Sequence, residues 1–577
     1  MKRRVRFFPL ALALALAFAL LVFASPPATP ALAATDPNPT LRIGLAYDSA
    51  ALPAASLQNY SGRGSGYRLG YLDASRQFVE LGRLEAQKIT MLKNRNMYLK
   101  NGEYTETNST GAVTVGCFHI DTNVTYSTFA AAKSRADTLR GNGLKAFPVY
   151  SGGTYRVRIG AYASSSAAAA AIPATGLSGA TALSGSAYCV SVVTTDNGDI
   201  VFQFDGGESR WLAVWPSRGE ASDPVTWFKG NSYRGGFEYR RMTGNNMTVT
   251  NWVKLQDYLK GVVPYEMINS WHIEALKAQA LCAKSFALTN LNKHRSSGFE
   301  LCNTTNCQVY RGLGWANANT DRAVDETYGL FVYYNNAVAQ TVYHDSDGGS
   351  TESARNVWGS EIPYLQAVTD IYETHNSAWK TTFTNNDVAQ ILKEKGVSIG
   401  TVAGVYVDAF TPAGNVYRLV IVDTLGKRYV YEGSNARTIL NSPSRGLYVR
   451  SQRFTVTGGG SGSSGGGAGS QTLYVASASG TSSVSSASGL YAITGKGTAV
   501  LDVPLGDLWM ISKNGVSALP AATGTPPPST PGVYVFSGTG NGHNVGMSQY
   551  GARAMADRGF KAADIINFYY TGVRIGN

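Results

Sequence analysis

Between Asp257 and Leu288 the chain reads DYLKGVVPYEMINSWHIEALKAQALCAKSFAL, and one acid in it, Glu266, stands among Val262, Val263, Tyr265, Met267, Ile268 and Trp271. A carboxyl group in such company is short of water. Desolvation raises its pKa and keeps it protonated near neutrality, the state that a general acid requires. Residue types alone leave a second reading open, in which Glu266 sits at a helix start, where partial positive charge favours an acid.

The elements that must position this acid can be read from patterning. Pro264 stops the extended segment before it, and Ile273 to Leu291 has helical composition, with Lys277 and Gln279 in its first turns. From Tyr233 to Val456 the chain reads as α+β. Gly458 to Ser470 has the composition of a flexible linker, Thr472 to Leu519 is a small β-rich segment, and TPPPSTP follows it. Gly532 to Asn577 resumes with a strand, a glycine loop and a helix. Upstream, a glycine- and tyrosine-rich β region (34–110) precedes a compact unit (111–195). In that unit, strands at 112–120, 146–150, 155–162 and 187–194 alternate with helices at 127–141 and 164–172, a ferredoxin-like βαββαβ order.

The compartment is set by the first residues. Lys2, Arg3, Arg4 and Arg6 precede an apolar run from Phe7 to Ala24, and Ala31-Leu32-Ala33 supplies a small-x-small cleavage site, the layout of a secretory signal peptide over 1–33. An uncleaved anchor is the alternative, because the run approaches the ~17 residues needed to span a bilayer. Either way the expected place is secreted, or extracytoplasmic and associated with cell wall or membrane. Removing the leader lowers the formal charge of +12 to about +8, which suits an anionic wall or simply keeps the surface soluble. No segment resembles a nucleic-acid motif, and none is expected as partner. At 577 residues the chain exceeds one core. Five cysteines are too few for a disulfide-built scaffold.

Two resemblances sharpen this. GAVTVGCF, the helix after it and YRVRIGAYASSSAAAAA resemble a SPOR domain, which implies binding to glycan strands stripped of stem peptides. In this topology the first and last strands are antiparallel neighbours, so Cys117 and Cys189 are expected to face each other as a disulfide. The segment around Glu266, then CQVYRG (307–312), SDGGSTESARNVWG (346–359), PYLQAV (363–368), GTGNGHNVGMSQYGARAMADRG (538–559) and IINFYYTGVRI (565–575) resemble the SpoIID/LytB family in order. The expected fold is therefore α+β: a SpoIID-type mixed catalytic domain over 230–577 plus the small SPOR unit. Because the last motifs belong with the first, 458–530 reads as an insertion within one domain.

The resemblance implies a lytic transglycosylase with Glu266 as catalytic acid and base, acting on peptidoglycan glycan strands beside a sporulation-type wall amidase. Its alternative is the family's non-catalytic amidase enhancer. Lys277, Gln279, Gln308, Tyr310, Ser346, Thr351, His543, Ser548, Gln549 and Tyr550 fall at matched positions and are expected to line the groove or support it. His543 is also a candidate second base. Asp345, Asp347 and Glu352 read as solvated loop acids or glycan contacts. No cofactor is required. Some family members bind zinc with two cysteines and two histidines; here Cys302, Cys307 and His294 are the candidates and Asn306 stands where a fourth ligand would, so a Cys302–Cys307 disulfide is the preferred reading over zinc. Two departures touch the groove: Lys284 stands for an arginine, and Asn544 for a glycine.

Overall fold

A computed structural model describes residues 36–218, 223–241, 244–459 and 531–577, together with six strands between 472 and 518. The leader, the Gly/Ser tract from 460 to 470 and all but the last residue of TPPPSTP lie outside the described residues.

The chain is α+β, built on two large sheets. One runs Leu301–Cys302, Thr40–Ala46, Met247–Lys254, Gly236–Arg241, Leu212–Pro216, Tyr67–Leu72, Phe78–Leu84 in spatial order. The other begins with the four strands of the SPOR-like unit and continues through Ile200–Asp205, Val190–Thr194, Lys88–Lys93 and Ala54–Asn59 to a hairpin at 226–233. Strands from the region before 110 thus enter both sheets, and the boundary expected near 230 falls inside the first. The reason is burial. Leu41 and Ile43 alternate with more exposed neighbours and pack into one core that reaches Tyr258, Leu276, Met547 and Tyr570.

The SPOR-like unit keeps the βαββαβ order, with a changed last strand. Helices Phe129–Gly141 and Ser165–Ala171 are capped by the hydroxyls of Thr128 and Ser164. The closing strand is Thr181–Leu183, paired antiparallel with Phe118–Asp121. Val190–Thr194, expected in that place, pairs instead with Lys88–Lys93 and Ile200–Asp205. The premise for a Cys117–Cys189 bridge is thereby removed, and both are free thiols.

Around the candidate acid lies a helical layer. The helix Ile273–Thr289 is buried over thirteen of its seventeen residues. It is buried nearly all round because Ala318–Glu326, Gln549–Asp557 and Ala562–Tyr569 pack about it. A second lobe has its own core of Trp379, Phe383, Ile391, Leu419 and Phe536. Its strand Val533–Gly538 lies between Trp379–Thr384 and Phe454–Gly458. The chain therefore leaves this sheet at 458 and re-enters it at 533. Between them are three hairpins, 472–485, 490–501 and 509–518.

Candidate functional site

Glu266 ends the short helix Val263–Glu266, which Pro264 opens at a position where its missing N–H costs nothing. Its carboxyl lies on the floor of a cleft of about 530 Å³, walled by Tyr343, Asp345, Trp358, His543 and Gln549, with Lys293, Asn306 and Cys307 at one side. Oε1 accepts the Val309 N–H at 3.0 Å, and the side chains of Tyr343 and Gln549 are also hydrogen-bonded to the carboxyl. These three contacts favour the anion, yet desolvation outweighs them and the pKa is raised above its ordinary value. Among the described residues no lysine, arginine or histidine forms an ion pair with it.

The supports of Glu266 run back into the core. Gln308, buried, accepts the Tyr258 hydroxyl at 3.0 Å and donates to the Tyr343 hydroxyl at 2.9 Å and to the Ala283 carbonyl at 3.3 Å. Gln549 donates to Oε1 of buried Gln279 at 3.3 Å. Gln279 and Gln308 therefore hold groups that touch the acid, and do not line the cleft themselves. Gln549 and His543 do line it.

The other matched positions lie elsewhere. Lys277 pairs with Glu274 at 3.1 Å and Glu326 at 3.3 Å, away from the cleft. Tyr310 is a core side chain whose hydroxyl donates to Asn251. Ser346 and Ser548 both donate to the Glu373 carboxylate. Thr351 accepts the Val368 N–H at 2.8 Å, tying its loop. Tyr550 stacks on His375, centroids 3.6 Å apart, over a neighbouring hollow shared with Arg553 and Arg558.

Asp347 and Glu352 are not solvated loop acids. Glu352 is 1 % exposed and accepts from Ser353, Asn356, Thr411 and Asn415, joining the cleft wall to the second lobe. Asp347 is fully buried beside Asp370 and Glu373. Burial and those two carboxylates push its pKa up to about 9. Only Asp345 reaches the cleft, where Oδ2 accepts from Asn541 at 3.0 Å.

His543 has no free lone pair for a base. Nδ1 accepts the Val545 N–H at 3.1 Å and the ring is also hydrogen-bonded to the Tyr343 carbonyl. Burial, then the Arg437 charge, lower its pKa to about 4, so it is neutral. The cleft histidine that sequence reasoning missed is His344, which donates from Nδ1 to the Val545 carbonyl at 3.2 Å and leaves Nε2 without a partner among the described residues. Tyr343 and Trp358 were also missed as cleft residues. The signal lay in the pair Tyr343-His344, three and two residues before the SDGG motif, and in the tryptophan near the end of that segment.

The two departures are accommodated. Asn544 has φ +63°, the left-handed region where asparagine follows glycine in preference. Its amide donates to the Asp347 carbonyl at 2.9 Å. Lys284 is buried, donates to the Thr327 carbonyl and lies over the Phe331 ring; burial lowers its pKa to about 7. Gly551 is required for another reason, since a Cβ there would fall 1.9 Å from the Tyr569 hydroxyl.

His294, Cys302 and Cys307 converge, one ligand atom of each within 4.8 Å of the others, and the histidine Nε2 is 3.4 Å from Cys307 Sγ. Both cysteines are free, so the expected bridge between them is absent. Two thiols and an imidazole are a donor set that fits zinc with a fourth position left open. Cys282 is a buried thiol against Met547 and the Tyr570 hydroxyl. No described helix is long and apolar enough to cross a membrane.

Comparison with known proteins agrees with this layout. Residues 243–334 match the family model for SpoIID, stage II sporulation protein, and residues 124–179 match that for the SPOR domain. The amidase enhancer of Bacillus subtilis is 29 % identical over 345 residues, covering 55 % of this chain and 40 % of that relative. Stage II sporulation protein D of the same organism is 25 % identical over 346 residues, covering 57 % of this chain and 76 % of the relative. A protein of Brachyspira hyodysenteriae is 40 % identical over 125 residues, 22 % of this chain and 34 % of its own length. The chain thus spans about two-fifths of the amidase enhancer and a third of the Brachyspira protein. With these motifs ordered around one cleft and the SPOR-like unit ahead of them, the chain is similar to SpoIID proteins over its C-terminal part and to SPOR domains upstream of it.

Proposed function

We propose that this chain remodels cell wall as a lytic transglycosylase, cutting the linkage between N-acetylmuramic acid and N-acetylglucosamine in peptide-free glycan strands. The observation that carries the reading is the Glu266 carboxyl, raised in pKa by desolvation, held by Val309, Tyr343 and Gln549, without an ion-pair partner among the described residues, on the floor of a cleft.

An acid in that state protonates the leaving oxygen as the bond from C1 to that oxygen breaks. The carboxylate so formed takes the proton of the sugar's own C6 hydroxyl as O6 bonds to C1. A 1,6-anhydro ring results, no water enters, and Glu266 ends protonated as it began. One carboxyl serves both steps, whereas hydrolytic glycosidases need two. The SPOR unit would hold the enzyme on strands that an amidase has already stripped, outside the cytoplasm. His294, Cys302 and Cys307 would hold a structural zinc that pins the loop at one side of the cleft; the chemistry does not pass through it.

A second reading, a non-catalytic enhancer of a wall amidase, is favoured by the name of the Bacillus subtilis relative. Incubation with amidase-treated peptidoglycan and mass spectrometry of the fragments separates the two. Anhydro-muramyl ends are expected from the parent chain and lost in Glu266→Gln. A parent chain that yields none, while stimulating an amidase, would establish the enhancer.

A further inference from the structure

Glu266 also borders a second hollow, of about 200 Å³, on whose walls are Pro264, Tyr265, Met267, Ile268, Asn269 and Trp315. Trp315 is 63 % exposed and Ile268 54 %. The Trp315 ring lies flat against Tyr265, centroids 4.9 Å apart and 7° from parallel. An aromatic of this size usually hides both faces. Here one face rests on Tyr265, which limits the ring's motion, and most of the side chain stays in water.

Glu266 is common to this hollow and to the larger cleft. A linkage being cut has a sugar on either side, so a glycan acid needs a seat on each flank. The larger cleft supplies one flank, with Trp358 at 42 % exposure. We propose that Trp315, backed by Tyr265, is the saccharide platform of the other flank, receiving the apolar C–H face of a pyranose ring. The proposal rests on the reading of Glu266 as the acid that cuts a glycan. A ring already immobilised by stacking loses little conformational freedom when a sugar settles on it, so its contact goes to orienting the linkage over the acid. Exposed apolar surface beside a polar cleft is the mark of such a groove.

The test uses the full chain carrying Glu266→Gln, which binds without cutting. Trp315 and Trp358 are oxidised with N-bromosuccinimide with and without saturating chitohexaose, and their peptides are followed by mass spectrometry. Several-fold slower oxidation of both supports the platform. Protection of Trp358 with Trp315 unprotected overturns the platform and leaves the cleft standing; protection of neither overturns both. In the active chain, Trp315→Ala is expected to raise KM on peptide-free strands roughly tenfold with kcat within about twofold, and Trp315→Phe, which keeps a ring on Tyr265, to restore most of the loss. An unchanged KM in Trp315→Ala would also overturn it.

Discussion

The Val309 N–H donates to Oε1 of Glu266 at 3.0 Å, joining two sequence motifs 43 residues apart. Val309 is flanked by Gln308, whose side chain orders Tyr343, itself a second donor to the same carboxyl. One short segment therefore supplies one hydrogen bond to the acid and positions another.

From this follows a pH dependence. Glu266 must be protonated to act as acid, and its pKa lies above the ordinary carboxyl value. Cleavage should fall as pH rises through that raised pKa. The Tyr343 bond favours the anion, so Tyr343→Phe should move the alkaline limb to higher pH, read from kcat/KM profiles.

Gln308 is the member of this set whose loss spreads furthest. Gln308→Leu strips a partner from the hydroxyls of Tyr258 and Tyr343. A destabilisation of about 1–3 kcal/mol is expected in denaturant melts. Because Tyr343 is released, kcat should drop more than KM rises.

Asp347 offers a test of stability. Its folded pKa of about 9, against an ordinary 3.8, means that the folded chain keeps a proton which the unfolded chain releases. The stability of that protonated form is whole below about pH 4 and is lost progressively as pH climbs toward 9. Asp347→Asn keeps an uncharged group there, so its melting temperature should exceed the parent's at pH 8, with the difference shrinking at pH 6 and vanishing near pH 4.

Metal analysis addresses the thiol cluster. One zinc per chain is expected, lost in Cys307→Ser and accompanied by a lower melting temperature. A parent chain purified with no zinc, even after zinc is supplied, would count against the site.

Lys277 separates position in a motif from position in space. Its ammonium is occupied by Glu274 and Glu326, and Glu274 also accepts the Ala562 N–H that opens the helix Ala562–Tyr569. Lys277→Met should leave cleavage within about twofold while lowering stability by less than about 1 kcal/mol, as for a partly exposed pair.

The sequence by itself determined the local elements and the desolvation of the Glu266 carboxyl. Composition and periodicity located the helix after His272 and both helices of the SPOR-like unit, because those signals are carried by neighbours along the chain. The apolar company of Glu266 likewise announced a desolvated carboxyl. Tertiary structure decided what depends on distant partners. Thr40–Ala46 pairs with strands more than two hundred residues away, and Val190–Thr194 lies between Ile200–Asp205 and Lys88–Lys93 in the shared sheet instead of closing the SPOR-like unit. Motif order could not tell Gln549, at the cleft, from Tyr310, in the core. Which face of an element meets solvent is settled by the elements packed against it, and those come from remote parts of the chain.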